Sequence, residues 1–314
     1  MKITLRTKNI PAVLLFKTGM ALLLGSPAVA DAVSIPFTYE KHIAFVRVQS
    51  ANANQPPMCF ILDTGASTTV VGSTTADRLK LGLYKSAQPV NDFATASTCG
   101  LGNAPAESIL GLRATCGGLP LKPTAVRADI ANMGLSSGRS VDGLLGSDFL
   151  RNKVLTIDIA NRSLQIEPAL TRTMDGIPLD RNDAVFVKIT TPALPRPLVF
   201  LVDTGATHCL IDSKVAKRMN LSRGPERTVN VVGGQKTGYT ANNFVGSLDG
   251  HPLPSQIFAV DLSQASWSLP HRIDGILGMN FIENYKVKIN FNAHQMRILS
   301  NRAADAGIAA GGPL

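Results

Sequence analysis

The chain has 314 residues, 45% hydrophobic and 17% charged, which suits about two ordinary domains and excludes wholesale disorder. Its formal charge is +9, but 1 Trp, 4 Tyr and 12 Phe are poor material for stacking nucleic-acid bases. At the N-terminus, Lys2, Arg6, Lys8 and Lys17 occur without an acid, an apolar stretch runs from Met20 to Leu24, and Gly25-Ser26-Pro27-Ala28-Val29-Ala30 follows. That is the pattern of a secretory signal peptide over residues 1–30, with cleavage expected after Ala30 and export to a periplasm or the exterior. A retained membrane anchor is the alternative. A span needs about 20 apolar residues, and Lys17 and Pro27 leave far fewer. Beyond Ala30 the chain carries 27 cations against 22 acids, spread without a basic block, so no nucleic-acid partner is expected.

Further along, runs at 43–48, 58–62, 154–159 and 185–190 are rich in Val, Ile and Phe and bounded by Gly, Pro and Asn, which predicts an all-β chain. Helical spacing of apolar residues occurs at Ser73–Lys80 and Ser213–Met219, and short helices are predicted to start at Ser147 and Met279. The segment around Met174-Asp175-Gly176 reads as a linker between a lobe at 31–170 and a lobe at 171–301. Residues 302–314 are Ala/Gly-rich without periodicity and read as a disordered tail. Of four cysteines, Cys99 and Cys116 lie closest in sequence and are the expected disulfide, with Cys59 and Cys209 as free thiols. No Cys-x-x-Cys occurs and the histidines are scattered, so no zinc site is expected.

The two lobes repeat one another. Phe60-Ile61-Leu62-Asp63-Thr64-Gly65-Ala66-Ser67 returns as Phe200-Leu201-Val202-Asp203-Thr204-Gly205-Ala206-Thr207, an offset of 140. Asp142-Gly143-Leu144-Leu145-Gly146-Ser147-Asp148-Phe149-Leu150 returns as Asp274-Gly275-Ile276-Leu277-Gly278-Met279-Asn280-Phe281-Ile282, an offset of 132. Ile35-Pro36-Phe37 and Phe45-Val46-Arg47-Val48 also return, as Ile177-Pro178-Leu179 and Phe186-Val187-Lys188-Ile189. Ordered matches with a single change of offset mark a duplicated unit.

Asp-Thr-Gly in one copy is an ordinary turn. Two copies at equivalent points of a repeat would face each other across a pseudo-two-fold axis. Carboxylates meeting there cannot both ionise cheaply, so they share one proton at mildly acid pH. One member then takes a proton from water while the other polarises a carbonyl. Asp142 and Asp274 form a second symmetric pair, read as turn residues of Asp-Gly turns. His208 has Thr68 as its counterpart and reads as a cleft wall or surface residue.

Taken together, the doubled Asp-Thr-Gly-Ala-Ser/Thr and the later Leu-Leu-Gly-x-Asp and Ile-Leu-Gly-x-Asn resemble the aspartic proteases, specifically the retropepsin-like branch in a fused single-chain form. The resemblance implies two pseudo-symmetric pepsin- or retropepsin-like β-barrel lobes with a cleft between them, Asp63 and Asp203 as the catalytic pair, and a monomer acting on peptide or protein. It implies that Thr64 and Thr204 cross-link the loops, that Gly65 and Gly205 let the backbone approach the carboxylates, and that Ser67 and Thr207 hydrogen-bond the outer carboxylate oxygens. No metal or organic cofactor is implied. Flaps are expected near Gly100 and Gly102 in the first lobe and from Gly233 and Gly234 to Tyr239 in the second, with plain hairpin loops as the alternative. The chain departs from retroviral relatives in carrying Ser147 and Met279 where those have Arg, in its unlike flaps and in its longer halves. An exported pseudo-protease that only binds peptides is the alternative to an active endopeptidase.

Overall fold

The structure, a computed structural model, describes residues 32–83, 107–133, 137–168, 176–178, 185–231, 234–263 and 272–301. The signal-like segment, Met174 and Asp175 of the linker, the tail at 302–314, and Cys99, Gly100, Gly102 and Gly233 lie outside them. Among the described residues the chain is all-β with four short helices, Ser73–Arg78, Ser147–Leu150, Ser213–Arg218 and Met279–Ile282. Every segment predicted as a strand is one to within two residues. The strand orders are open among the described residues.

Each half repeats one pairing scheme. Ile43–Ser50 pairs antiparallel with Met58–Leu62, whose other neighbour is Gly143–Leu145, running parallel with Gly143 opposite Phe60 and Leu145 opposite Leu62. Gly143–Leu145 in turn pairs antiparallel with Val70–Gly72. In the second half Phe186–Ile189, Leu198–Val202, Gly275–Leu277 and Leu210–Asp212 stand in the same relation, with Gly275 opposite Phe200 and Leu277 opposite Val202. The inserted strand lies between two strands that follow one another in sequence, so the chain must loop across its end. That crossing is the Asp-Thr-Gly loop. The inserted strands are buried throughout, which is why they read as continuous apolar runs without alternation.

The halves are joined by six strands in the order Ile177–Pro178, Gln295–Asn301, Tyr285–Asn290, Lys153–Asp158, Ser163–Pro168 and Val33–Glu40. The central pairing places Leu155 opposite Ile289, Thr156 opposite Lys288 and Ile157 opposite Val287. Under the offset of 132, Val287 is the counterpart of Leu155 and Ile289 that of Ile157. Leu155 thus faces the counterpart of Ile157 and Ile157 faces the counterpart of Leu155, the signature of a self-matching contact across a two-fold axis. The axis passes through Thr156 and Lys288. Leu155, Ile157, Val287 and Ile289 are all sealed from solvent, so the joint between the lobes is also core.

The helices that follow the Asp-Thr-Gly loops end alike, with Lys80 at φ +54° and Asn220 at φ +53°. The next amides bond back into the helix, Leu81 N–H to Ala76 C=O at 3.0 Å and Leu221 N–H to Ala216 C=O at 3.1 Å. A left-handed residue costs an ordinary side chain roughly 1 kcal/mol, less for Asn. Lys80→Asn, which copies the second half onto an exposed site, should therefore stabilise the protein by about 0.5 kcal/mol, read as a higher urea midpoint at unchanged slope.

The expected Cys99–Cys116 disulfide involves Cys99, which lies outside the described residues, and no disulfide is found among those described. Cys116 is a free thiol, sealed inside the main core on a strand that pairs with Ile43–Ser50. Burial pushes it up to about 12. Cys209 is likewise free and buried, and Cys59 is free and half-buried.

Candidate active site

Leu62 and Val202 deliver Asp63 and Asp203 to the two-fold axis, and the loops lock there through their threonines. Thr64 N–H donates to Thr204 Oγ1 at 3.0 Å, and Thr204 N–H donates to Thr64 Oγ1 at 3.1 Å. Thr64 Oγ1 donates to Val202 C=O at 2.9 Å, and Thr204 Oγ1 to Leu62 C=O at 2.8 Å. Both threonines are fully buried, so these bonds face no competition from water.

The lock sets the carboxyls against the opposite loop. A Cβ on Gly65 would stand 2.5 Å from Asp203 Cγ, and one on Gly205 would stand 2.7 Å from Asp63 Cγ. Glycine is required at both places because any side chain would displace the other lobe's aspartate. Ala66 N–H holds Asp63 Oδ1 at 2.9 Å, while Gly205 and Ala206 N–H hold Asp203 Oδ1 at 2.8 and 3.2 Å. The carboxyls are close enough for each to act on the ionisation of the other. Asp63 is 7% exposed and Asp203 is 9% exposed.

Burial is the main force raising both carboxyls above the ordinary carboxylate range, and the charge of Asp203 lifts Asp63 further. Backbone N–H groups on each loop pull the other way and keep one ionised form accessible. The pair therefore holds one proton at a pH where free aspartates have lost theirs.

The second motif supports each loop from behind. Asp63 N–H bonds Leu145 C=O at 3.0 Å and Asp203 N–H bonds Leu277 C=O at 3.1 Å. Asp142 accepts from Cys59 N–H at 2.9 Å, Thr75 Oγ1 at 2.8 Å and Arg78 Nη2 at 2.7 Å. Asp274 accepts from Val199 N–H at 3.0 Å and from both Arg196 Nη atoms, at 3.2 and 3.3 Å. Both are spent on backbone and arginine, away from the dyad. A signal for this was present in the sequence, since Cys59 and Val199 stand 140 apart, as do Arg78 and Arg218, whose Nη2 lies 4.0 Å from Asp274 Oδ1.

Asp148 Oδ1 accepts from Thr69 N–H at 2.9 Å and Thr69 Oγ1 at 2.8 Å, and Asn280 Oδ1 holds Cys209 N–H at 2.8 Å. One half therefore does with a neutral amide what the other does with a carboxylate. Burial raises Asp148, so its ionisation opposes folding above the ordinary carboxylate range and the cost disappears as pH falls through its raised value. Asp148→Asn keeps the acceptor and should raise Tm, with the gain over the wild type wider at pH 8 than at pH 4.

Other candidate residues stand elsewhere. Ser67 is half-buried beside its loop. The Thr207 hydroxyl is bonded to His208 Nδ1 at 2.9 Å. Ser222–Val231 and Gly234–Asn242 form a long hairpin at the position of the second-lobe flap, with Gly234 next to its tip. Tyr239 lies at the root instead, between Glu226 and Ala259, with the Arg223 guanidinium 4.3 Å from its ring centre, so it belongs to the sheet and not to a flap tip. Sequence reasoning missed a cluster of Tyr39, His42, Glu283 and His208, drawn from segments with no repeat relation. Among the described residues no group of three or more His, Cys, Asp or Glu is placed to hold a metal ion.

No curated protein matches the chain. A family model described as "Aspartyl protease" matches residues 46–149 and 194–281, more than half the chain and both halves of the repeat. The two matched regions contain both locked Asp-Thr-Gly loops and both supporting motifs, and the chain belongs to the aspartyl protease family.

Proposed function

We propose that the chain is an aspartic endopeptidase that hydrolyses peptide bonds with water activated between Asp63 and Asp203. The observation that carries this reading is the buried carboxyl pair, each member packed against the glycine of the opposite loop and raised by burial. A water over the pair gives a proton to the ionised carboxylate as its oxygen attacks the scissile carbonyl carbon. The protonated carboxyl hydrogen-bonds the carbonyl oxygen as that oxygen becomes negative. The resulting tetrahedral diol, which has taken that carboxyl's proton, then collapses and returns it, as the proton gained from water passes to the departing amine. The products are a carboxylic acid and an amine, and no cofactor takes part. Because both aspartates belong to one chain, a monomer suffices.

The signal-like N-terminus supports export, so the substrate would be a periplasmic or extracellular peptide or protein. Among the described residues no helix is long and apolar enough to cross a membrane. The deciding experiment is a digest of a mixed peptide library between about pH 3 and 7, the span over which one shared proton is plausible. Cleavage by the wild type and none by Asp63→Asn supports the reading. A wild type that binds peptides and cleaves none points to a pseudo-protease.

A further inference from the structure

The tip of the first-lobe hairpin reaches across to the second lobe. Glu40 pairs with Ile43, so Lys41 and His42 form a two-residue turn, and both stand at positive φ, +47° and +63°. Asn and Gly ordinarily fill such a turn, because other side chains are strained there. Strain of this kind persists where surrounding contacts over-determine the conformation. Here those contacts lie in the other lobe. Glu283 Oε2 accepts from Tyr39 Oη at 2.5 Å and lies 2.8 Å from His42 Nδ1, lengths typical of bonds to an ionised carboxylate. Tyr39 is steadied from its own side by Phe37, edge-on with ring centres 6.4 Å apart. The His42 ring also meets the His208 ring edge-on, with centres 5.4 Å apart.

Glu283 is in turn coupled to the Asp203 loop. It follows the helix Met279–Ile282, and its N–H bonds Met279 C=O at 2.8 Å. The start of that helix grips the loop. Met279 N–H donates to Ala206 C=O at 2.8 Å and Asn280 N–H to Thr207 C=O at 3.1 Å, while Asn280 Oδ1 accepts from Cys209 N–H at 2.8 Å. A Cβ on Gly278 would stand 2.4 Å from the carbonyl oxygen of His208, so no slack separates helix from loop. A displacement of Glu283 is therefore passed to the loop that carries Asp203.

The threonine lock lies at the two-fold axis, where it fixes how near the loops come but opposes a tilt of one loop only weakly. A tie placed off the axis opposes that tilt. We propose that Glu283 is a positioning residue of the dyad: by clasping Tyr39 and His42 it holds the helix Met279–Ile282, and with it the Asp203 loop, in place against Asp63. The corresponding residue of the first half is Arg151, which cannot accept such bonds, so the carboxylate clasp belongs to the Asp203 side alone. This deepens the protease reading, and only its kinetic arm rests on that reading.

The test follows the titration of Asp63 and Asp203 by carbon NMR in the wild type, Glu283→Ala, Glu283→Gln and Tyr39→Phe. Carboxyls held together lose their protons in two separated steps. Glu283→Ala should draw the two steps together by about 0.5 pH units, with Tyr39→Phe moving them the same way by less. Glu283→Gln keeps an acceptor oxygen and should stay near the wild type. Loss of the Glu283 charge alone would lower both steps alike in Ala and Gln variants, and that result overturns the proposal. So do steps that do not move. Tyr39→Phe removes one hydroxyl and leaves the ring, so it decides the matter should Glu283→Ala fail to fold. In the kinetic arm, Glu283→Ala should lower kcat about tenfold with KM within about twofold of the wild type, and a loss confined to KM overturns the positioning role. Steps that draw together in a protein that cleaves nothing keep the clasp and remove the protease. Steps that stay fixed in an active enzyme remove the clasp and keep the protease.

Discussion

Replacing Asp63 by Asn is expected to lower peptide hydrolysis by about three orders of magnitude, with Asp203→Asn doing the same, while both variants stay folded. The reason lies in what each change removes. An amide at position 63 still accepts from Ala66 N–H and still fits against Gly205. It can neither take the proton of water nor share one with Asp203. Each variant keeps one ionisable partner, and that is too few, because the reaction needs a base and an acid at once. Retained activity in both single variants would reject the pair.

Stability gives an independent check on the same residues. Both carboxyls titrate above their unfolded range, so between the two ranges the native state holds more protons than the unfolded chain. Stability therefore declines as pH rises through that window and is greatest below it. Asp63→Asn removes one of the raised groups and relieves the other of a neighbouring charge. Its Tm should fall less than that of the wild type between about pH 4 and pH 7.5. A wild type and a variant with parallel curves would mean that the two carboxyls do not interact in the fold.

How much of this was legible in the sequence follows from what repetition can encode. The Asp-Thr-Gly loops and the strands beneath them could be read because the parallel strand inserted beside each leaves a continuous apolar run, twice, at fixed offsets. The two-fold joint was implicit in the same arithmetic, since Leu155 and Val287 are counterparts. Contacts that break the repeat could not be read. Glu283 has Arg151 as its counterpart and His208 has Thr68, so no internal comparison flags them, and their meeting with Tyr39 and His42 depends on how the lobes are set together. The bond that Thr207 makes to His208 is hidden for the same reason. Its loop matches that of Ser67, yet the neighbouring His208 captures its hydroxyl. The cysteine pairing rested on sequence distance alone, which carries no information about which face of a strand Cys116 occupies. Tyr239 was placed near a glycine-rich tip by proximity in sequence, whereas the register of the hairpin puts it at the root.

Thr64→Val should cost about 2–4 kcal/mol of stability, and Thr204→Val should cost the same within about 1 kcal/mol. Valine has the shape of threonine, so the loss is that of the hydroxyl. At position 64 that hydroxyl serves Val202 C=O and Thr204 N–H, and at position 204 it serves Leu62 C=O and Thr64 N–H. Each variant thus orphans one buried carbonyl and one buried amide, in the other loop or on the strand leading to it. The matched sizes are the point of the measurement, because only a lock shared across the two-fold axis makes the two positions equivalent. Thr64→Ser retains the hydroxyl and should recover most of the loss. In kinetics, the valine variants should lose about a hundredfold in kcat with little change in KM, because the lock sets the spacing of the carboxyls and leaves the cleft walls alone. A large cost at one threonine and none at the other would show that the loops are held separately, and that the closeness of Asp63 and Asp203 has another cause.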